Sequence, residues 1–123
     1  MNSKLIFVVD DDQMMLEMLK DHLEQNPMNI VKCFETGEQC IEHLGNNPHT
    51  IILDYQLNSI EANAQDGLAI LKEVKNLNKD VNVIMLSSQE HYGKAAQTIS
   101  NGAIQYVIKG DQAFHEIDQI LEN

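Results

Sequence analysis

The chain contains no arginine. All eight of its basic residues are lysines, scattered from Lys4 to Lys109, and they face nineteen acidic residues for a net charge of −11. Direct binding to nucleic acid is disfavoured, because phosphate contacts need a positive surface and usually arginine. Cysteine is almost as scarce. Cys33 and Cys40 have neither metal-type nor redox-type spacing and offer no disulfide scaffold, so both are read as buried apolar thiols. No apolar run approaches the roughly 18 residues that span a bilayer, and Met1 to Ile6 lacks a basic segment followed by a long apolar stretch. The expectation is a cytoplasmic protein without membrane contact.

What is present suits one domain: 123 residues, 43% hydrophobic and 22% charged, enough for a single sizeable core and too apolar for disorder. Short apolar runs rich in branched residues recur at Leu5 to Val9, Ile30 to Phe34, Thr50 to Leu53, Val81 to Leu86 and Ile104 to Ile108, and their lengths suit buried strands. Helically spaced stripes alternate with them. These are Met15, Leu19 and Leu23; Cys40, Ile41 and Leu44; Leu71, Val74 and Leu77; Tyr92, Ala95, Ala96 and Ile99; and Phe114, Ile117 and Leu121. Asp12, Thr36, Asp66 and Asp111 are predicted helix caps. Strict strand–helix alternation predicts an α/β fold with a parallel sheet and helices on both faces. The polar stretch Asn58 to Gln65 is expected to form an extended loop at a strand's carboxyl end, where such folds place ligand sites.

Asp10 and Asp11 follow the first strand and Asp54 follows the third, so all three carboxylates meet at one edge if those strands are neighbours. Like charges held together raise one another's pKa, and a hard divalent cation reverses that cost. An all-oxygen set favours magnesium, calcium or manganese over zinc. Helix capping by Asp10 to Asp12, with Asp54 merely ending a strand, would account for the same residues without a metal. Ser87 and Lys109 end the fourth and fifth strands at the same edge. They add a hydroxyl and a counter-charge, which with the cation are what a phosphoryl group needs; Asp54 would be the nucleophile.

Across essentially its whole length the chain resembles the response-regulator receiver domains. The matching segments are Val8-Val9-Asp10-Asp11, Ile51-Ile52-Leu53-Asp54, Asp66-Gly67, Val83-Ile84-Met85-Leu86-Ser87-Ser88 and Gly102-Ala103-Ile104-Gln105-Tyr106-Val107-Ile108-Lys109, in order and at compatible spacing. The resemblance implies a five-stranded parallel sheet of order 2-1-3-4-5, flavodoxin-like and doubly wound. It implies that Asp54 accepts the phosphoryl group, that Asp10, Asp11, Asp54 and the backbone carbonyl of Gln56 hold Mg²⁺, and that Lys109 contacts the phosphoryl oxygens. Ser87 would move toward the phosphoryl group and Tyr106 would follow it inward. Gln56 and Gln89 lie where such domains vary the lifetime of the phosphorylated state. The implied partners are a histidine kinase or phosphotransfer protein, and a downstream protein at the face of the fourth helix, fifth strand and fifth helix. The chain is expected to act as a monomer or weak dimer, as a single receiver domain over residues 1–123 without an output domain, catalysing only its own phosphorylation and dephosphorylation.

Two departures from the family stand out. Gly110 replaces the proline that usually follows the lysine through a cis bond; a cis bond before a non-proline residue costs about 2.5–4 kcal/mol, so a trans or a strained link is expected here. Leu57-Asn58 replaces a methionine-proline pair, and additional residues precede Asp66-Gly67. The alternatives are a haloacid-dehalogenase-like phosphatase, disfavoured by Gln56 where its second aspartate would stand, and a degenerate receiver that binds partners constitutively. A flavin carrier is disfavoured because no Ser/Thr/Gly-rich loop follows the first strand.

Overall fold

The structure, a computed structural model, describes residues 3–57, 66–88 and 92–122. Five strands and five α-helices alternate: β1 (Lys4–Val9), α1 (Gln13–Leu23), β2 (Asn29–Phe34), α2 (Gly37–Glu42), β3 (Thr50–Asp54), α3 (Gly67–Leu77), β4 (Asn82–Ser87), α4 (Tyr92–Ser100), β5 (Gln105–Ile108) and α5 (Ala113–Glu122), with a 3₁₀ turn at Leu44–Asn46 after α2. The strands form one parallel sheet of order β2-β1-β3-β4-β5, as expected. The expected loop Asn58 to Gln65, together with Gln89, lies outside the described residues.

Alternation along the strands divides the core in two. Phe7, Val9, Ile51, Leu53, Val83 and Met85 point to one side of the sheet, under α2 and α3. Ile6, Val8, Ile52, Ile84, Leu86 and Val107 point to the other, under α1 and α5. Both faces of β1, β3 and β4 are therefore covered, which is why these strands read as unbroken apolar runs. Each fully buried Val, Leu, Ile or Phe contributes about 1.5–3 kcal/mol.

Three of the four predicted caps hold: Asp12, Thr36 and Asp66 accept hydrogen bonds from the backbone N–H groups of Met14, Gln39 and Ala69. The fourth does not. Helix α5 opens at Ala113, whose N–H donates to the Gly110 carbonyl, so a backbone turn occupies the place expected of Asp111.

The apolar stripe expected to seat α4 is also corrected. Tyr92 is 83% and Ile99 45% exposed, while Thr98 is the buried residue of the helix, its hydroxyl donating to the Ala95 carbonyl. Helix α4 contacts edge strand β5, which offers less surface than the sheet centre. Cys40 is buried as expected and burial pushes its thiol up to about 12, but Cys33, on edge strand β2, is only half-buried.

Glycine at position 67 is a requirement of the close approach between α3 and the end of β3. A Cβ there would lie 2.3 Å from the Asp54 carbonyl oxygen and 2.6 Å from Tyr55 Cα. The Gly67 N–H donates to the Tyr55 carbonyl at 2.9 Å, which pins α3 beside the residue that follows Asp54.

Candidate functional site

Register and strand alternation bring the charged groups together. Val9 pairs with Leu53 in adjacent strands, so Asp10 follows β1 beside the end of β3, where Asp54 is the last strand residue. Asp10 continues the alternation of Val8, Asp54 that of Ile52, and Lys109 that of Val107, all on the side of the sheet covered by α1 and α5. Ser87 continues that of Met85 and Tyr106 lies with it on the opposite side, where Tyr106 packs against the core.

The geometry separates the three consecutive aspartates. Asp12 is the α1 cap. Asp10 is 1% exposed, and its Oδ1 accepts the Asp12 N–H at 2.9 Å. One carboxylate oxygen each from Asp10, Asp11 and Asp54 lies within 4.8 Å of the others. The Lys109 ammonium stands 3.1 Å from Asp10 Oδ2 and 3.3 Å from Asp54 Oδ1. Asp54 Oδ1 also accepts the Gln56 backbone N–H at 3.1 Å. Among the described residues Asp10 Oδ2 has the ion pair but no hydrogen bond.

Three carboxylates against one ammonium leave two negative charges in excess at a buried edge. The strain falls on Asp54. Burial, then the Asp10 charge, push its carboxyl up to about 7, and Lys109 with the Gln56 N–H offsets only part of the rise. Burial alone would pull the Lys109 ammonium down, but Asp54 and Asp10 outweigh it and hold its pKa above the ordinary lysine value. The donors are carboxylate oxygens without nitrogen or sulfur, and one buried oxygen lacks a hydrogen bond. These features fit a hard divalent cation.

Every predicted site residue except Gln89 lies among the described residues. No cis peptide bond occurs among them, and Lys109 reaches both carboxylates with Gly110 following it. The Lys109 N–H donates to the Ser87 carbonyl at 2.7 Å, so β4 and β5 are joined where their polar residues emerge.

Two contacts were not anticipated. The Gln56 side-chain amide donates from Nε2 to Ser87 Oγ at 3.1 Å. The Lys94 ammonium of α4 stands 5.2 Å from the centre of the Tyr55 ring, a cation–π contact beside the phosphoacceptor candidate. A polar residue two places after Asp54 and an aromatic one place after it were the only sequence signals for either.

The fold and this edge define a doubly wound α/β domain with an acidic, cation-compatible pocket at the carboxyl ends of its strands. The response regulator receiver domain profile matches residues 6–121, and the chain belongs to that family, the CheY-like receivers of two-component signalling. It is 30% identical over 118 residues to the chemotaxis protein CheY of Bacillus subtilis, covering 95% of this chain and 91% of that protein. It is 33% identical over 88 residues to the transcriptional regulatory protein CssR of the same organism, covering 72% of this chain and 36% of the regulator. Among solved structures, a CheY-like receiver domain protein from Methanospirillum hungatei shares the fold with a TM-score of 0.85 at 21% identity, covering 98% of this chain and 93% of the other. The BeF3-activated DrrB receiver domain aligns with a TM-score of 0.78 at 26% identity, covering 98% and 99%. Receivers are not conventional enzymes, and the haloacid-dehalogenase alternative is set aside by this membership. Among the described residues no helix is long and apolar enough to cross a membrane.

Proposed function

We propose that Asp54 is the phosphoacceptor of a two-component phosphorelay and that its phosphorylation switches a protein-binding face. The observation that carries this reading is the buried Asp54 carboxylate, with Lys109 3.3 Å away and oxygens of Asp10 and Asp11 within 4.8 Å. An Asp54 oxygen attacks the phosphorus of a phosphohistidine on a histidine kinase or phosphotransfer protein. The phosphorus–nitrogen bond breaks as the phosphorus–oxygen bond forms, and the imidazole leaves with the electron pair. Asp54 must be deprotonated to attack, and Lys109 stabilises both that anion and the phosphoryl oxygens. Asp10, Asp11, Asp54 and the Gln56 carbonyl would hold Mg²⁺, which when bound supplies charge neutralisation for the phosphoryl oxygens.

Ser87 donates its hydroxyl to the new phosphoryl group, and Tyr106 turns inward after it. The responding face is α4–β5–α5, where Tyr92, Ile99 and Ile104 are exposed. Its occupant is a protein, since the chain carries no arginine for nucleic acid. Constitutive binding by a degenerate receiver is less well supported, because Lys109 keeps both carboxylate contacts despite Gly110.

Acetyl phosphate with Mg²⁺ should add one hydroxylamine-labile phosphoryl unit by mass spectrometry, and Asp54→Asn should abolish it. Equal labelling of Asp54→Asn, or labelling undiminished by chelator, would refute the assignment. Beryllofluoride should shift amide resonances from Tyr92 to Gln119. Shifts confined to the surroundings of Asp54 would refute the switch.

A further inference from the structure

The Gln56 side chain is not used by the reading above, which needs only its backbone carbonyl. Yet it is held in a specific way. Its Nε2 donates to Ser87 Oγ at 3.1 Å, its backbone N–H donates to Asp54 Oδ1 at 3.1 Å, and its Oε1 is buried with no hydrogen-bond partner among the described residues. One residue thus touches both the nucleophile and the hydroxyl that would answer to it.

We propose that Gln56 is a positioning residue that holds the Ser87 hydroxyl in its resting place, so that Ser87 reaches the phosphoryl group only when the Gln56 amide lets go. The inference rests on the phosphoacceptor role of Asp54 and deepens it.

Two features set how firmly the amide holds. Ser87 is fully buried, so its hydroxyl oxygen accepts from a protein group rather than from bulk water, and the Gln56 amide N–H is one such donor. The amide itself is satisfied at one end only. A buried carbonyl oxygen without a donor carries a desolvation cost, which disappears if the side chain turns outward. Gln56 is half-buried, so the route to solvent is short. The Nε2 hydrogen bond holds Ser87 Oγ in place while the unsatisfied Oε1 works against that hold, so a phosphoryl oxygen that accepts the Ser87 proton and draws the hydroxyl toward it can end it. As Ser87 turns toward the phosphoryl group, Gln56 turns out and hydrates both ends of its amide.

A protein whose binding-competent form is only partly populated shows a proportionally weaker apparent affinity. Removing the hold should therefore strengthen binding of the phosphoryl analogue. The probe is beryllofluoride with Mg²⁺, titrated into the full chain as wild type, Gln56→Met, Ser87→Ala and the double variant. Methionine keeps the length of the side chain and removes its hydrogen bonding. Gln56→Met should tighten beryllofluoride binding by roughly 2- to 12-fold, the range of one net hydrogen bond. Without beryllofluoride, its Ser87 and Tyr106 amide resonances should lie displaced from the wild-type positions toward those of the wild-type complex. In the Ser87→Ala background the same substitution should change affinity by less than about 2-fold, since nothing is left to hold.

Unchanged or weaker binding by Gln56→Met refutes the proposal, as does a tightening that survives in Ser87→Ala. Failure of the wild type to bind beryllofluoride at all refutes instead the phosphoacceptor reading on which the proposal rests.

Discussion

The charge imbalance around Asp54 has a direct consequence for stability in the absence of metal. Burial and Asp10 push this carboxyl up to about 7 from an ordinary value of 3.8, a gap of about three pH units. Below about pH 7 the folded, metal-free protein therefore prefers Asp54 protonated. Stability from this group is fully present below pH 3.8 and is lost as pH rises through 7, because above that point folding must keep a carboxylate buried beside another. Lys109 is charged in both folded and unfolded chains across this window and does not change the slope.

At 1.36 kcal/mol per pH unit the loss is about 4 kcal/mol. For 123 residues this corresponds to a fall in Tm on the order of 15 °C. Asp54→Asn removes the titrating group while keeping its shape, so most of the fall should vanish, and at pH 7.5 the variant should melt above the wild type. The assay is circular-dichroism melting of both proteins in chelator from pH 4.5 to 7.5. Parallel curves for the two proteins would show that the buried carboxylate pair is not what strains this edge.

Asp11→Ala should raise the metal-free Tm at pH 7.5 and cut the stabilisation produced by Mg²⁺, which for the wild type should reach about 2.7 kcal/mol at a hundred times the dissociation constant; a wild-type Tm indifferent to millimolar Mg²⁺ would contradict a site in the folded state. Gly67→Ala should cost at least about 1–3 kcal/mol in denaturant unfolding and impair acetyl-phosphate labelling, because its Cβ would meet the Asp54 and Tyr55 backbone rather than a side chain that can move. Gly110→Ala is the contrasting case. Its Cβ would meet nothing within 4 Å, so unfolding should be unchanged or more costly by about 0.4–1 kcal/mol, and a marked loss would show that this turn needs glycine.

The alternation of elements was legible because β1, β3 and β4 are covered on both faces, which writes each as a short apolar run. The convergence of Asp10, Asp11, Asp54 and Lys109 was legible for a related reason. In a parallel sheet each carboxyl end lies at the same edge, so a polar residue closing an apolar run has its position fixed. The order of the strands was not contained in that pattern and came from the family resemblance. Helix α4 was misread because apolar spacing specifies a face without saying what it meets, and here Tyr92 and Ile99 meet no core. The Asp111 error has a local cause: a side-chain cap and a backbone turn closing on Gly110 satisfy the same N–H groups. The Gln56–Ser87 contact joins two positions far apart in sequence and depends on side-chain direction, which residue type and spacing do not encode.

Helix α4 buries a single residue, Thr98, whereas α1 buries Leu16, Leu19 and Leu23 and α3 buries Gly67, Ile70, Leu71 and Val74. Little free energy is therefore spent when α4 alone detaches. In hydrogen exchange its amides should exchange through local opening, well before those of α1 or α3 and without global unfolding. A segment held by so little burial needs no large force to be redirected. If α4 exchanges in this way, an event worth one or two hydrogen bonds at the end of β4 would be enough to change how long it stays in each position, and a partner that reads this helix would read its residence time.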